Sequence, residues 1–377
     1  MTRYEDLFAR LQASGQGALV PFVMLGDPTP AASLAIIDEL IAGGADALEL
    51  GFPFSDPVAD GPTIQAAHLR ALEAGVDTET CFDLLAQIRA RHPQVPIGLL
   101  VYANLPFSWG AERFYAECAR VGVDSVLLPD VPTREGEAFA QAAAEAGVDA
   151  VFIAPPQGDA RTLEQVAKYS RGYIYAVSRV GVTGTENAAE TEGLDQVVAR
   201  LREHTDLPIL LGFGISQPEH VSAALAAGAD GAITGSAVVN LVAQLSDEDL
   251  TLFPADLPAE GEDPESLVSA GAVAAPPGFA TSGPHGAGGL GSLGAGQAGN
   301  GLGRIREFVA KMKAAATLPQ QSNAGSGEAG ASGNTGTGTA SSTGNAGTGT
   351  AGATGNAGAG ATSASAHGDD ANASPTK

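Results

Sequence analysis

Basic residues are scarce in this chain: 19 Lys and Arg stand against 43 Asp and Glu, a formal charge of −24. Most of the imbalance lies in residues 1–250, where 34 acids face 14 bases. Nucleic-acid backbones and anionic membrane surfaces are gripped by clustered Lys and Arg, so neither is an expected partner. Cysteine is almost missing. Cys81 and Cys118 are the only two, each within a stretch of helical periodicity and without a local His or Cys partner. A disulfide framework and a thiolate metal site are therefore excluded, which leaves plain buried thiols. No run of 18 apolar residues occurs, and Met1-Thr2-Arg3-Tyr4-Glu5-Asp6 has no apolar signal core. No membrane span or secretion signal is expected, and the implied location is cytoplasmic. Beyond Leu318 there is no Val, Ile, Leu, Met, Phe, Trp or Tyr at all. Such a segment cannot bury enough apolar surface to offset the entropy of ordering it, so 319–377 reads as a disordered low-complexity tail.

What is present is a regular alternation. Thr2-Arg3-Tyr4-Glu5 has the form of a capping box opening a short helix, with Tyr4, Leu7, Phe8 and Leu11 on one face. Short apolar runs follow at 18–23, 46–52, 96–102, 125–130, 150–155, 173–178, 208–213 and 231–235, separated mostly by stretches of helical period. Near-continuous apolar strands between amphipathic helices mean a parallel sheet covered on its outer face. Eight such units in about 250 residues predict a closed α/β (β/α)8 TIM barrel with an N-terminal helix. Gly44-Ala45-Asp46, Gly122-Val123-Asp124, Gly147-Val148-Asp149 and Gly228-Ala229-Asp230 each end a helix and launch a strand. Glycine ends helices cheaply in the left-handed conformation, so this echo is structural. From Ser246 to about Gly303 the chain turns acidic and then Gly/Pro-rich, and periodicity returns at Arg304-Ile305-Arg306-Glu307-Phe308. The expected organisation is a catalytic barrel at 1–245, a flexible insertion at 246–303, a final packing helix at 304–318 and the tail.

In such a barrel the chemistry sits at the C-terminal ends of the strands. The second strand, Ala47-Leu48-Glu49-Leu50-Gly51-Phe52, carries one acid in an apolar run. A buried carboxyl must be paired, protonated or catalytic, and desolvation raises its pKa toward that of a neutral-pH acid. The plain alternative is a buried Glu satisfied by a neighbouring Ser or Tyr. The next loop, Pro53-Phe54-Ser55-Asp56-Pro57-Val58-Ala59-Asp60-Gly61-Pro62, has three prolines in ten residues and a restricted shape. It offers a second carboxylate, Asp56 or Asp60, and spacing does not choose between them.

Strand seven ends Leu211-Gly212-Phe213-Gly214-Ile215-Ser216, and strand eight ends Ile233-Thr234-Gly235-Ser236. Small residues there, with Ser236 opening a short helix, form the usual phosphate cradle of these barrels. Arg179-Val180-Gly181-Val182-Thr183-Gly184-Thr185 follows strand six as a possible lid. None of the six histidines ends a strand, so the site is expected to lack a histidine base. Tyr175 and Tyr102 are the other proton-handling groups near strand ends. No lysine ends a strand either, which excludes a Schiff-base mechanism.

Pro21-Phe22-Val23, Gly26-Asp27-Pro28, Leu48-Glu49-Leu50-Gly51-Phe52-Pro53-Phe54-Ser55-Asp56-Pro57, Ala59-Asp60-Gly61-Pro62, Gly212-Phe213-Gly214-Ile215 and Gly235-Ser236 together resemble the tryptophan synthase alpha chain family. The likeness runs through 1–245 and resumes at 304–317. It implies a lyase that cleaves indole-3-glycerol phosphate to indole and glyceraldehyde 3-phosphate by a retro-aldol reaction. Carried over by position, Glu49 protonates the indole carbon and assists removal of the hydroxyl proton, Asp60 accepts from the indole N–H, and Tyr175 supports Glu49. Phe22, Leu100 and Leu127 line the indole pocket; Thr183, Gly184, Phe213, Gly214, Gly235 and Ser236 hold the lid and phosphate. The resemblance implies no cofactor on this chain, and a pyridoxal-phosphate beta chain bound in an alpha2-beta2 tetramer through Pro53, Asp56, Tyr102, Asn104, Leu105 and Pro132. The alternatives are a stand-alone lyase releasing free indole, a silent barrel serving as an allosteric partner, and another phosphate-binding barrel isomerase. The last leaves Glu49 to Pro62 unexplained.

Overall fold

The computed structural model describes residues 1–177, 194–212, 214–250 and 301–319. Its strands are β1 (Ala18–Met24), β2 (Leu48–Gly51), β3 (Ile97–Leu100), β4 (Ser125–Leu127), β5 (Asp149–Val151), β6 (Ile153–Ala154), β7 (Ile174–Val177), β8 (Ile209–Gly212) and β9 (Gly231–Thr234). All pair in parallel in the order β5-β4-β3-β2-β1-β9-β8-β7-β6. The two strands at the ends of that order are separated in the chain by Phe152 alone. They are halves of the one expected strand at 150–155, and through them the sheet curls into the TIM barrel.

Helix α1 (Arg3–Ser14) precedes the barrel. Then come α2 (Pro30–Ala42), α3 (Pro62–Glu73), α4 (Thr78–Arg91), α5 (Asn104–Trp109), α6 (Ala111–Arg120), α7 (Glu137–Ala146) and α8 (Ala160–Tyr169). They are followed by α9 (Leu194–Arg202), α10 (Pro218–Ala226), α11 (Ser236–Val242), α12 (Asp247–Leu250) and a C-terminal helix, Gly301–Ala314. Among the described residues no helix is long and apolar enough to cross a membrane.

Side chains alternate between the two faces of a strand. Ala18, Val20, Ala47, Leu127, Val151, Tyr173, Tyr175, Leu210 and Ile233 form one cluster inside the barrel. Leu19, Val23, Leu48, Leu50, Leu99 and Ile209 belong to the larger core between sheet and helices. Tyr4, Leu7 and Leu11 of α1 join the interior cluster. Their helix starts with the expected capping box, in which Glu5 N–H donates to Thr2 Oγ1 (3.2 Å) and Thr2 N–H to Glu5 Oε2 (2.7 Å).

The Gly-Xaa-Asp echo does more than end helices. Gly44, Gly122, Gly147 and Gly228 have positive φ (100, 80, 76 and 92°), as C-cap glycines do. In three of the four, the following acid also binds the first free amide of the preceding strand. Asp46 Oδ2 accepts from Leu19 N–H (2.9 Å), Asp124 Oδ2 from Ile97 N–H (2.8 Å) and Asp230 Oδ2 from Ile209 N–H (2.7 Å). Lys313, Arg3 with Arg89, and Arg202 respectively supply the counter-charge. Asp149 differs: burial first, then repulsion from Asp124 and Glu5, pushes it up to about 6.

The expected insertion begins and ends elsewhere. Ser246 and Asp249 cap one another, with Asp249 N–H donating to Ser246 Oγ (3.2 Å) and Ser246 N–H to Asp249 Oδ2 (2.9 Å), and so start α12 inside the supposed loop. Within the described residues the C-terminal helix runs from Gly301, so it includes residues before Arg304, where periodicity was expected to resume, and Asp249 Oδ1 accepts from Gly301 N–H at 2.8 Å. Leu302, Ile305, Val309 and Met312 are its buried face. Residues 251–300 and the tail from 320 lie outside the described residues.

Candidate active site

Glu49 points into the barrel because β2 alternates: Leu48 and Leu50 pack outward, leaving Glu49 on the inner face beside its register neighbour Phe22. It is 2% exposed. Burial pushes its carboxyl up from an ordinary 4.5 to about 8, a hydrogen bond from Tyr173 works against that, and the charge of Asp60 adds to it. At neutral pH this is a carboxylic acid, able to give a proton. The Tyr173 hydroxyl donates to Glu49 Oε1 at 3.5 Å, a long bond. Tyr173, just before β7, and Tyr175, within it, are two residues apart and share the barrel interior. Burial, then the charge of Glu49, pushes both phenols upward, so both keep their protons. Expectation singled out Tyr175 and missed Tyr173, although the two-residue spacing was the available signal.

Asp60 and Asp56 part company in the fold. Asp56 is exposed and bonded to the Ser55 hydroxyl (2.5 Å). Asp60 is 6% exposed and sits just before α3, whose first residue, Pro62, suits a helix start. Its Oδ2 accepts from the Tyr102 hydroxyl at 2.7 Å and lies 3.2 Å from His68 Nε2. The Tyr102 hydroxyl in turn accepts from Ala59 N–H at 3.0 Å. Burial, followed by the charge of Asp60, raises Tyr102 and keeps it a donor. Tyr102, named both as a proton-handling group and among the partner-face residues, is buried against Asp60 and also lines the rim pocket described below; and, against the expectation of a site without histidine, His68 reaches Asp60 from α3 and not from a strand end. Its spacing from Ile64 and Ala71 marked His68 as buried but not what it would meet.

Phe22 is the wall between the two halves of the site. Its ring reaches Gly51, where an added Cβ would come within 2.9 Å of Cζ, and its Cβ lies 3.6 Å from such an atom at Gly235. Leu127 is fully buried in the interior cluster, and Leu100 packs against it. Gly235 and Ser236 open α11, and Gly214 takes a left-handed φ of 75°. The first amides of a helix have no partner within it, which suits an anion. Thr183, Gly184 and Phe213 lie outside the described residues.

On the rim beside Asp60, Pro53, Phe54, Leu72, Val76, Tyr102, Asn104 and Leu105 line an open pocket of about 250 Å³ that neither carboxylate enters. Val58 (76%) and Phe107 (82%) are conspicuously exposed apolar side chains. Pro132 is also exposed. Among the described residues no group of His, Cys, Asp and Glu could hold a metal. Cys81 and Cys118 are buried and burial pushes both thiols up.

A family model described as tryptophan synthase alpha chain matches residues 8–255. The chain is 60% identical over 242 residues to the tryptophan synthase alpha chain of Corynebacterium diphtheriae, covering 64% of this chain and 87% of that one. It is 58% identical over 253 residues to that of Klebsiella pneumoniae, covering 67% and 94%. Among solved structures, an Aquifex aeolicus protein aligns with a TM-score of 0.65 at 27% identity, over 84% of this chain and 99% of that chain. A Mycobacterium tuberculosis tryptophan synthase structure aligns equally well (0.65, over the same shares) at 23% identity, a likeness of fold.

Proposed function

The chain belongs to the tryptophan synthase alpha chain family, and from that premise we propose how its buried carboxylates divide the work. It has the family's role, as a lyase catalysing the alpha reaction of tryptophan biosynthesis. The proposed substrate is indole-3-glycerol phosphate. Glu49, holding its proton, delivers it to the indole carbon that bears the side chain, and the ring nitrogen takes up positive charge. Asp60 accepts the ring N–H and stabilises that charge. The Glu49 carboxylate then removes the proton from the adjacent hydroxyl. The bond to the ring breaks, its electrons neutralise the ring, and indole and glyceraldehyde 3-phosphate form with the proton back on Glu49.

The observation that carries this reading is the pairing of a carboxyl pushed up to about 8 with a second carboxylate close enough to repel it. Tyr175 supports Glu49, as its electrostatic coupling to that group suggests. Phe22, Leu100 and Leu127 flank the indole, while Gly214, Gly235 and Ser236, with Thr183, Gly184 and Phe213, receive the phosphate and close over it. One proton passing between Glu49 and the substrate, with Asp60 holding the ring N–H, accounts for the reaction, so we assign no cofactor to this chain.

A beta chain is the proposed partner, in an alpha2-beta2 tetramer in the cytoplasm, with pyridoxal phosphate on the beta side. Exposed Val58 and Phe107 and the apolar pocket lined by Pro53, Asn104 and Leu105 support docking at that rim, with Asp56 and Pro132 nearby in the proposal. The catalytic unit is taken as 1–250 together with 301–318, with 251–300 and 319–377 as additions.

The test is indole release from indole-3-glycerol phosphate by wild type, Glu49→Gln and Asp60→Asn. Each variant should lose on the order of 100-fold in turnover while folding normally. A folded Glu49→Gln enzyme with near-wild-type cleavage would sink the assignment.

A further inference from the structure

We propose that His68 is a positioning residue that holds the Asp60 carboxylate in one orientation, with one oxygen anchored and the other presented to the substrate; the proposal rests on the assignment of Asp60 to the ring N–H. His68 stands in α3, 3% exposed. Its Nδ1 lies 3.0 Å from Phe54 N. A backbone amide only donates, so Nδ1 accepts and the ring proton sits on Nε2. That proton points at Asp60 Oδ2, 3.2 Å away. The tautomer is thus set by the main chain of the very loop that carries Asp60.

Tyr102 repeats the arrangement from the other side. It accepts from Ala59 N–H (3.0 Å) and donates to the same Oδ2 (2.7 Å). Each side chain takes a hydrogen bond from the loop backbone and passes one to a single oxygen. Among the described residues no side chain bonds Oδ1. The two carboxylate oxygens are equivalent, so what these bonds fix is the tilt of the group: rotating it out of place would break both at once, and the oxygen left unbonded is the one kept for the substrate. The other charged group near His68, Asp27, is already held by Arg70 through two bonds of 2.7 Å, which leaves Asp60 as its acceptor.

Two amides separate the halves of this role. Gln at position 68 carries its amide where Nε2 lies and keeps the bond to Asp60. Asn carries its amide where Nδ1 lies, keeping the Phe54 bond and losing the other. Steady-state indole release on the full chain, with melting curves as folding controls, should show His68→Gln within about threefold of wild type. His68→Asn should lose roughly tenfold or more in kcat with little change in KM, the scale expected when a positioned group drifts by a fraction of an ångström. In the Asp60→Asn background the Asn substitution should cost nothing further. Additive losses, or equal losses for Gln and Asn, overturn the positioning role. Nitrogen-15 histidine shifts showing the proton on Nδ1 overturn it too. If Asp60→Asn alone keeps near-wild-type turnover, the Asp60 assignment is what fails, and the nitrogen-15 result still reads the tautomer independently.

Discussion

The Tyr175 hydroxyl and part of its ring occupy the space that a side chain at Gly212 would fill. The two lie on neighbouring strands, where Val177 is the register partner of Gly212 and Tyr175 of Leu210. Glycine here is demanded by a neighbouring ring and not by backbone conformation. Gly212→Ala must push Tyr175 aside at a cost of about 1–3 kcal/mol, the usual range for overpacking. Because Tyr175 is coupled to Glu49, turnover should also fall roughly 10- to 100-fold. Urea unfolding and indole release check both; an alanine variant as stable and active as wild type contradicts the packing.

Glu49 makes stability depend on pH in a definite direction. The folded chain holds its proton up to about 8, whereas the unfolded chain releases it near 4.5. Between those values the unfolded state binds fewer protons, so this group takes stability away as pH rises, and above 8 the loss is complete. Glu49→Gln carries no such proton. Its melting temperature relative to wild type should therefore climb from pH 5 to pH 8 and then level off. A difference that stays flat across that range would show that the carboxyl is not held protonated.

The two loop acids should separate cleanly in turnover. Asp56 is exposed and bonds only the Ser55 hydroxyl among the described residues, so Asp56→Asn in the isolated chain should stay within about threefold of wild type, as expected for a surface substitution away from the chemistry. Comparison with Asp60→Asn in one assay decides between them. Equal losses for both would mean that burial of Asp60 has been misread as function.

Asp249 and Gly301 are hydrogen-bonded although the chain makes a long excursion between them. The two ends of that excursion already meet, so a short Gly/Ser link in place of 251–300 should leave the barrel folded and active. Circular dichroism and indole release on the shortened chain measure this. Loss of the folded state would show that residues within 251–300 belong to the core.

The eight strands are legible in the sequence because each is a short apolar run bounded by a Gly-Xaa-Asp turn, a proline or a polar stretch. The break at Phe152 is not, since 150–155 is one apolar run and only barrel closure splits it. Glu49 stands out as the lone acid of its strand. Asp60 does not, because what distinguishes it from Asp56 is Tyr102, 42 residues away in the chain. His68 is hidden for a related reason: helical spacing announces burial, while its contacts with Phe54 and Asp60 exist only once the Pro-rich loop folds back over α3. Ser246 with Asp249 was readable as a cap and was obscured by the acidic run around it.

The three acids at the strand starts have a consequence for how the barrel is put together. Asp46, Asp124 and Asp230 reach back only 27, 27 and 21 residues to Leu19, Ile97 and Ile209. Closing so short a loop is cheap in entropy, so these bonds are available to a half-built chain. The amide of Ala18, one residue before Leu19, instead bonds the Asp230 carbonyl, which requires β1 to have met the last strand. Adjacent amides therefore report different moments: pulsed hydrogen exchange during refolding should protect Leu19 before Ala18, and simultaneous protection would mean the ring forms in one step. Neighbours in sequence would then serve as an early and a late clock for the same barrel.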